Sequence, residues 1–303
     1  MVANRTGDRA EVVSIVLKIG TVTTPEVESA TRTPPHREFI RYSNLCKADD
    51  MTATVVMVHG AWHGAWCFDR VLPILEQAGV RAMALDLPGH GDDSGPFEDL
   101  HGDAERVLTA LDAVGEPVIL LGHSYGGAVI TEAGVHPVVQ HLVYLAALLP
   151  GEGQSCMAAA GAAMAEATLA RAARGEDATQ SDQSKPIELA DVLIVDGDTS
   201  TVGEAGARAL FMNDCDETTS QWMLSRLGGQ PMANMSQVPS AIAWRAKPAT
   251  YVVCTRDRAV PLEMQRVFAQ RCSSAIDWPT GHSPFASRPD LVAALLIDQA
   301  RSR

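Results

Sequence analysis

The sequence predicts an α/β fold in which helices flank a mostly parallel central sheet and a helical cap insertion covers one edge of that sheet. Short apolar segments with the character of strands alternate with helical segments from residue 53 onward. Alternation at this spacing is typical of right-handed βαβ crossovers and therefore of a parallel sheet. The chain is 46% hydrophobic but only 5% aromatic, a composition that suits parallel strands covered by helices on both faces.

The first half of the predicted domain contains strands and helices in regular alternation. Strands are predicted at residues 53–59, 80–86, 117–122 and 141–147, and helices at about 65–78, 100–114 and 125–135. The alternation then stops, because residues 150–240 are rich in Ala, Met and acidic residues without a clear strand pattern. An insertion of this size predicts a cap over the carboxyl ends of the strands, where open α/β sheets bind their ligands.

The last part of the chain returns to the alternating pattern. The predicted elements are strand 249–254, helix 261–271, strand 274–278 and helix 288–300. We therefore expect one domain over residues 51–302, preceded by an extension of residues 1–50. The extension mixes polar residues with TPP and DD clusters, and only residues 12–24 have the pattern of a strand or hairpin. We expect it to be poorly ordered, and whether Met51 is the true start is left open.

Charge and composition exclude several classes of partner. The formal net charge is −13, whereas binding to nucleic acid needs a concentrated basic surface. We therefore expect no nucleic-acid partner and no anionic membrane partner. No apolar stretch approaches the roughly 20 residues that a membrane-spanning helix needs, and the N-terminus lacks the apolar core of a signal peptide. We expect a cytoplasmic protein, and its oligomeric state is left open.

The cysteines and histidines do not form the patterns of a metal site. Six cysteines are dispersed without C-x-x-C pairs, which favours reduced thiols over a disulfide framework or a zinc site. Near His59, His63 and His90, no carboxylate or thiolate ligands occur at matching spacing. We therefore expect neither a metal nor another cofactor.

The motif GHSYGG, residues 122–127, lies at the end of the third predicted strand. Gly and Ser are common turn residues, so the segment alone is weak evidence. It also fits G-x-S-x-G, the sharp strand-to-helix turn that presents a serine hydroxyl above the edge of a sheet. The flanking glycines avoid Cβ crowding around a serine with a strained backbone. Ser124 is therefore the candidate nucleophile.

A nucleophilic serine needs a base to remove its proton and a carboxylate to orient that base. Asp257 follows the next-to-last predicted strand in CTRDRAVP, and His282 follows the last one in PTGHSPF. Taken separately, Asp257 is better explained as a helix N-cap and His282 as a loop histidine with an ordinary hydrogen bond. Together with Ser124 they give the order Ser, Asp, His at three strand ends, which predicts a catalytic triad. Asp277 is the alternative acid.

The segment HGAWHGAW, residues 59–66, follows the first predicted strand. A developing oxyanion needs two backbone N–H donors, one from the residue after the nucleophile and one from this early loop. We predict Tyr125 and Ala61 as these donors of an oxyanion hole. Trp62 is a candidate for the wall of the substrate pocket or for the core. His123 is a second substrate-binding candidate, although a histidine at such a position is more often a buried structural one.

Together, the motifs VHGAWHGAW, ALDLPGHG, GHSYGG, CTRDRAVP and GHSPF resemble those of the α/β-hydrolase superfamily. The most similar branch contains plant methylesterases, hydroxynitrile lyases and their bacterial esterase relatives. The resemblance covers about residues 51–302. It implies the α/β-hydrolase fold, a triad of Ser124, Asp257 and His282, and an oxyanion hole.

The lyases of this branch use the same triad to deprotonate a cyanohydrin. They carry a threonine after the early-loop histidine and a lysine after the triad histidine, whereas this sequence has Gly60 and Ser283. Without that lysine no cation stabilises departing cyanide, which favours a serine esterase that forms an acyl-enzyme. A lyase, a C–C hydrolase or a cofactor-free oxygenase on the same scaffold remains an alternative, as does a non-catalytic small-ligand receptor.

The predicted cap contains many methionines, which are typical of adaptable apolar pockets but also of simple helix packing. They include Met157, Met164, Met212, Met223, Met232 and Met235. We interpret this composition as favouring small to medium apolar esters as substrates.

Overall fold

The computed structural model describes residues 40–42, 52–174 and 189–302. The predicted strand or hairpin at residues 12–24, and most of the predicted extension, lie outside the described residues. Residues 40–42 belong to the predicted extension, but they form a short strand at one edge of the central sheet.

The described residues form strands and helices in the following chain order. The strands are β1 (Ile40–Tyr42), β2 (Thr54–Val58), β3 (Ala82–Leu85), β4 (Val118–His123), β5 (Val139–Leu145), β6 (Leu193–Asp196), β7 (Thr199–Val202), β8 (Gln230–Pro231), β9 (Ala249–Cys254) and β10 (Ser274–Trp278). The helices are α1 (Leu72–Gln77), α2 (Leu100–Val114), α3 (Gly126–Ala133), α4 (Cys156–Ala173), α5 (Leu189–Val192), α6 (Glu204–Phe211), α7 (Glu217–Leu224), α8 (Leu262–Ala269), α9 (Pro284–Ser287) and α10 (Pro289–Arg301).

Within the described part of the chain, seven strands form the central sheet in the order β1-β3-β2-β4-β5-β9-β10. All neighbours pair in parallel except β1, which is antiparallel to β3. In the centre, β2 and β4 pair from Thr54 opposite Val118 to Val58 opposite Gly122. Because parallel strands end at the same edge, the loops after β2, β4, β9 and β10 gather there. The predicted α/β-hydrolase architecture is confirmed.

The sheet centre forms the hydrophobic core. Every residue of β2, β4 and β9 is buried, which explains why these strands are continuous apolar runs rather than alternating ones. Helices α3, α8 and α10 pack against the sheet. Each fully buried Val, Leu or Ile side chain contributes about 1.5–3 kcal/mol to the free energy of unfolding.

Helix α2 shows how local sequence sets the ends of an element. The side chain of Asp99 accepts a hydrogen bond from the Gly102 N–H at 2.9 Å and caps the first turn. Gly115 ends the helix in the left-handed region, with φ of 62°. An N-cap of this kind contributes about 1 kcal/mol, and a glycine adopts the left-handed conformation without a Cβ penalty.

The predicted helix at about 65–78 is instead divided into two short pieces. A 3-10 turn covers Ala65–Phe68, and α1 begins only at Leu72. Pro73 lies in the first turn of α1, where its missing N–H costs nothing. A continuous helix from residue 65 would place this proline in its interior and would lose a hydrogen bond.

The cap, residues 146–248, connects β5 to β9, and its described residues contain α4, α5, α6 and α7. They also form a three-stranded antiparallel sheet in the order β6-β7-β8, so the predicted helical cap contains a small sheet that the sequence did not predict. These strands are two to four residues long, too short for an alternating pattern to be recognised. No helix among the described residues is long and apolar enough to span a membrane.

Candidate active site

Ser124 lies in the sharp turn between β4 and α3. Its φ is 51°, a left-handed conformation that costs a residue with a Cβ about 1–3 kcal/mol. Hydrogen bonds from both sides hold this conformation. The Ser124 N–H donates to the Leu145 carbonyl at 3.2 Å, and the Ser124 carbonyl accepts from the N–H groups of Gly127 and Leu148, both at 3.0 Å. The side chain is partly exposed, as a nucleophile requires.

The two glycines that flank Ser124 allow backbone segments to pack closely around the turn. A Cβ on Gly122 would lie 2.5 Å from the Gly126 carbonyl oxygen, and a Cβ on Gly126 would lie 2.5 Å from the carbonyl oxygen of His59. The predicted role of these glycines is to avoid crowding around the serine itself. The structure shows instead that they make room for each other and for the loop after β2.

Asp257 and His282 are brought together by the loops after β9 and β10. The His282 Nδ1–H donates to Asp257 Oδ2 at 2.8 Å, and both side chains are buried. The other oxygen, Oδ1, accepts from the backbone N–H groups of Ala259 at 2.7 Å and Val260 at 3.0 Å. With its proton on Nδ1, the neutral imidazole keeps Nε2 as the nitrogen that can accept a proton.

Asp277, the alternative acid, lies elsewhere. It forms an ion pair with Arg266 on α8, with distances of 2.6 and 2.5 Å, and both side chains are about half exposed. The hydrogen bonds from Arg266 lower the pKa of the Asp277 carboxyl. The structure therefore brings Asp257, and not Asp277, to His282.

The loop after β2 lies directly against Ser124. A Cβ on Gly60 would lie 2.8 Å from the Ser124 Cβ, so only glycine permits this approach. Among the described residues, no backbone carbonyl or side chain accepts from the N–H groups of Ala61 and Tyr125 in a turn or loop contact. Both predicted oxyanion donors are buried, and they belong to the two segments that meet at Ser124.

Two histidines hold this loop in place. The His59 Nδ1–H donates to the Gly60 carbonyl at 2.8 Å, while its Nε2 accepts from the Leu87 N–H at 3.1 Å. The His63 Nδ1–H donates to the Ala61 carbonyl at 2.7 Å. Burial lowers the pKa of both imidazoles, that of His63 to about 4. Both are therefore neutral near pH 7 and act as fixed hydrogen-bonding groups.

His123 holds the backbone of His282 through a hydrogen bond. Its Nε2–H donates to the His282 carbonyl at 2.9 Å, and the two rings are 4.7 Å apart. His123 is one of the predicted substrate-binding candidates, but its side chain is completely buried in the structure. Its contacts therefore correspond to the alternative interpretation, a structural histidine.

Trp62 and Phe211 form an apolar wall next to the predicted triad. Their rings stack with centroids 5.8 Å apart, and Phe211 lies 5.6 Å from the His282 ring. Of the methionines that suggested an apolar pocket, Met212 and Met223 are buried, whereas Met157 and Met164 are exposed on α4. Helix packing or exposure therefore accounts for several of them. Among the described residues, no group of three or more His, Cys, Asp or Glu side chains is arranged to hold a metal ion.

Comparison with known proteins agrees with this architecture. Residues 55–295 match the alpha/beta hydrolase family. The chain belongs to the α/β-hydrolase family. This hydrolase is 27% identical to the α/β hydrolase nvfD of Aspergillus novofumigatus over 262 residues, which cover 81% of this chain and 96% of that protein. It is 41% identical to the carbendazim hydrolyzing esterase of Nocardioides sp. over 112 residues, which cover 35% of this chain but only 46% of that esterase.

Solved structures resemble the hydrolase over nearly their full length. A pyrethroid hydrolase, PytH, superposes with a TM-score of 0.64 at 24% identity, covering 82% of this chain and 97% of that one. Polyneuridine aldehyde esterase superposes with a TM-score of 0.63 at 18% identity, covering 82% and 98%. At these identities the likeness shows the shared fold.

Sequence reasoning missed a buried glutamine that supports Asp257 in this hydrolase. The Gln265 Nε2 donates to Asp257 Oδ2 at 3.1 Å and to the Val260 carbonyl at 2.7 Å, while its Oε1 accepts from the Cys254 N–H at 2.8 Å. The available signal was a polar residue on the buried face of α8, beside Met264 and Phe268. A buried amide needs hydrogen-bond partners, so such a position indicates a supporting contact.

Proposed function

We propose that this protein hydrolyses carboxylic esters through an acyl-enzyme formed on Ser124. Membership of the α/β-hydrolase family, together with relatives that are esterases and methylesterases, supports a carboxylic-ester hydrolase. The observation that carries the serine mechanism is the buried hydrogen bond between His282 and Asp257 at the same sheet edge as the strained turn of Ser124.

In the first half of the reaction, the Ser124 hydroxyl oxygen attacks the ester carbonyl carbon while its proton moves to His282 Nε2. Asp257 holds the imidazole in the required tautomer and stabilises the imidazolium that forms. The carbonyl oxygen becomes an oxyanion, which accepts hydrogen bonds from the N–H groups of Ala61 and Tyr125. The intermediate then expels the alcohol, which takes the proton from His282 and leaves the acyl group on Ser124.

In the second half, water replaces the alcohol. His282 accepts a proton from this water as its oxygen attacks the acyl carbon, and the same amides bind the second oxyanion. The bond to Ser124 breaks, the serine oxygen takes the proton back, and the carboxylic acid is released. One oxygen atom of that acid therefore comes from water.

The wall formed by Trp62 and Phe211 supports small to medium apolar esters as substrates, because an apolar wall binds apolar acyl or alcohol groups best. Ser283 supports hydrolysis over cyanohydrin cleavage. It occupies the position of the lysine in the lyases of this branch, and its buried side chain brings no cation to the site.

The test combines p-nitrophenyl esters of increasing acyl length with mass spectrometry of the protein. We expect nitrophenol release, a transient acyl adduct on the Ser124 peptide, and oxygen from ¹⁸O-labelled water in the released acid. Ser124→Ala should abolish the adduct and lower kcat by about 10⁴-fold or more. Ser274→Ala, at an exposed position of β10, is the matched control. Its kcat and its acyl adduct on Ser124 should equal those of the unmodified protein. A protein that forms no serine adduct with any ester but cleaves a cyanohydrin or consumes oxygen would contradict the proposal.

A further inference from the structure

One segment of the cap, Gly228–Asn234, contacts both chain segments that carry the predicted oxyanion donors. It contains β8 and the start of the 3-10 turn that follows. On one side it contacts Trp62, the residue after Ala61. On the other side it contacts the side chain of Tyr125. The amide donors themselves belong to the sheet edge, but the contacts that fix their surroundings come from the cap.

Trp62 is held at its backbone and at its side chain. Its carbonyl accepts from the Gly228 N–H at 2.8 Å, and its own N–H donates to Gln230 Oε1 at 3.4 Å. Its indole Nε1–H donates to the hydroxyl oxygen of Ser200, on the neighbouring strand β7, at 3.2 Å. The Ser200 hydroxyl in turn donates to the Gln230 carbonyl at 3.3 Å. Gln230 and Ser200 are both about 1% exposed, so water does not replace these partners.

The backbone of Trp62 needs such support. Its φ is 63°, a left-handed conformation that is unfavourable for a large residue with a Cβ. A strained residue keeps its conformation only when the surrounding contacts determine it. The peptide that follows Ala61 is part of this strained turn. Loss of the Gln230 contact therefore removes one of the contacts that determine the conformation of the loop that carries one oxyanion donor.

The second contact is at the hydroxyl group of Tyr125. This hydroxyl donates to Asp103 Oδ2 on α2 at 2.6 Å, and it accepts from Asn234 Nδ2 at 3.2 Å. Asn234 Nδ2 also lies 3.0 Å from Asp103 Oδ2. All three side chains are fully buried. The side chain of the residue that carries the second oxyanion donor is thus fixed between α2 and the cap.

We propose that the Gly228–Asn234 segment positions the oxyanion hole, with Gln230 and Asn234 as positioning residues for its two halves. The proposal rests on the proposed function, since it assigns a role within the same ester hydrolysis. Neither residue touches the reacting atoms. Each acts through a neighbour, Gln230 through Trp62 and Asn234 through Tyr125. A shift of about 1 Å in a catalytic group costs up to about 100-fold in rate.

The experiment compares Gln230→Leu and Asn234→Leu with Gln237→Leu in the full chain. Gln237 follows the same segment and holds the first turn of α2, where its Oε1 accepts from the Leu100 N–H at 2.8 Å. It contacts neither Trp62 nor Tyr125, so it controls for lost cap stability. The measurements are kcat and KM for a p-nitrophenyl ester, the melting temperature, and the inhibition constant of an aryl trifluoromethyl ketone. The serine hydroxyl oxygen adds to the carbonyl carbon of that ketone, and the resulting oxyanion lies in the oxyanion hole.

We expect kcat to fall about 10- to 100-fold in Gln230→Leu and in Asn234→Leu, with KM changed less than threefold. The affinity for the trifluoromethyl ketone should fall by the same factor as kcat, because both depend on a bound oxyanion. Gln237→Leu should lower the melting temperature while it keeps kcat and the inhibition constant within twofold. If Gln230→Leu does not fold, Gln230→Ala and Asn234→Leu provide the same readouts.

Variants whose kcat and inhibition constant match those of Gln237→Leu would overturn the inference and leave the segment a purely structural part of the cap. A rise in KM with an unchanged kcat would overturn it as well, since that pattern indicates substrate binding. Failure of the proposed function looks different. In that case the unmodified protein neither reacts with a fluorophosphonate at Ser124 nor hydrolyses any ester, and this inference fails with it.

Discussion

The loops at the carboxyl edge of the sheet and the cap that covers them contribute to the site in different ways. The loops carry the candidate reacting groups Ser124, Asp257 and His282. The cap carries none of these, but it contacts the loops on which all three lie. The Leu148 N–H, at the start of the cap, donates to the Ser124 carbonyl at 3.0 Å. Asn213 Nδ2 donates to the Arg256 carbonyl at 3.0 Å, and Asp214 Oδ2 accepts from the Gly281 N–H at 2.6 Å.

This difference separates chemistry from positioning. A substitution at the sheet edge removes a group that reacts or that holds a proton, whereas a substitution in the cap changes the geometry in which intact groups act. The first kind of substitution should lower kcat by about four orders of magnitude. The second kind should lower kcat by only about one or two orders of magnitude. Variants of matched chemistry in the two regions therefore test whether the division is real.

The largest effect is expected at the sheet edge, for Asp257→Asn. The variant keeps the shape of the side chain but favours the wrong imidazole tautomer, so kcat should fall by about 10⁴-fold with little change in KM. Asp277→Asn is the matched control. Its exposed ion pair with Arg266 contributes at most about 1 kcal/mol to stability, and kcat should stay within twofold. If steady-state kinetics show the large loss of kcat in Asp277→Asn instead, then Asp277 and not Asp257 is the acid of the triad.

A smaller effect is expected in the cap, for Asp214→Leu. This substitution leaves the Gly281 N–H without its acceptor and leaves the Ser287 hydroxyl only the Ser283 carbonyl at 3.4 Å, which loosens the loop that carries His282. We expect kcat to fall about 10-fold and the melting temperature to fall by several degrees, because an unpaired buried N–H costs about 1–3 kcal/mol. Asp196→Leu, at an exposed position of β6, should change neither. A loss at Asp214 as large as that at Asp257 would remove the distinction between the two regions.

A third test concerns the junction of the two regions, where Asp103 meets Tyr125 and Asn234. Burial raises the pKa of the Asp103 carboxyl to about 7, although the hydrogen bonds from Tyr125 and Asn234 oppose the rise. The fold therefore favours the protonated form. The raised pKa of Asp103 contributes to the free energy of unfolding. This contribution is fully present below about pH 4, the ordinary pKa of an aspartate, and it is lost as the pH rises through about 7.

Asp103→Asn removes this titration and keeps an acceptor oxygen for the Tyr125 hydroxyl. Between pH 5 and 7, the free energy of unfolding of the unmodified protein should fall relative to that of the variant, by up to about 1.4 kcal/mol per pH unit. Above pH 8 the two curves should run parallel. Urea unfolding at each pH gives the comparison, and a constant difference from pH 5 to 8 would rule out the titration of Asp103.

The smallest effect is expected far from the site, at β1. Removal of residues 1–51 deletes this strand and exposes the edge of β3, with which Ile40–Tyr42 pair. The melting temperature should fall by a few degrees while kcat stays unchanged. Removal of residues 1–39 keeps the strand, and we expect it to change neither value. A loss of kcat on the shorter deletion would show that the extension takes part in the function.

The sheet-edge loops were predictable from sequence, whereas the cap contacts were not. Ser124, Asp257 and His282 each follow a recognisable apolar strand, and the chain order of the three residue types restricts their roles. Gln230 and Asn234 carry no such local signal. Gln230 meets Trp62 across 168 positions of the chain, and Asn234 meets Tyr125 across 109. Such pairs depend on how the cap folds back, which local periodicity does not determine.

The cap is also the crossover connection between two strands that pair with each other, since Leu142 of β5 lies opposite Ala249 of β9. A connection of any length between these strands leaves the order of the sheet intact, so the cap can vary without a change in the strand order. Each replacement must nevertheless supply new partners for Trp62, Tyr125 and Gly281. Chimaeras that carry a cap from another member of the family would therefore inherit their substrate range from the donor, and would regain their turnover only where these three partners are restored.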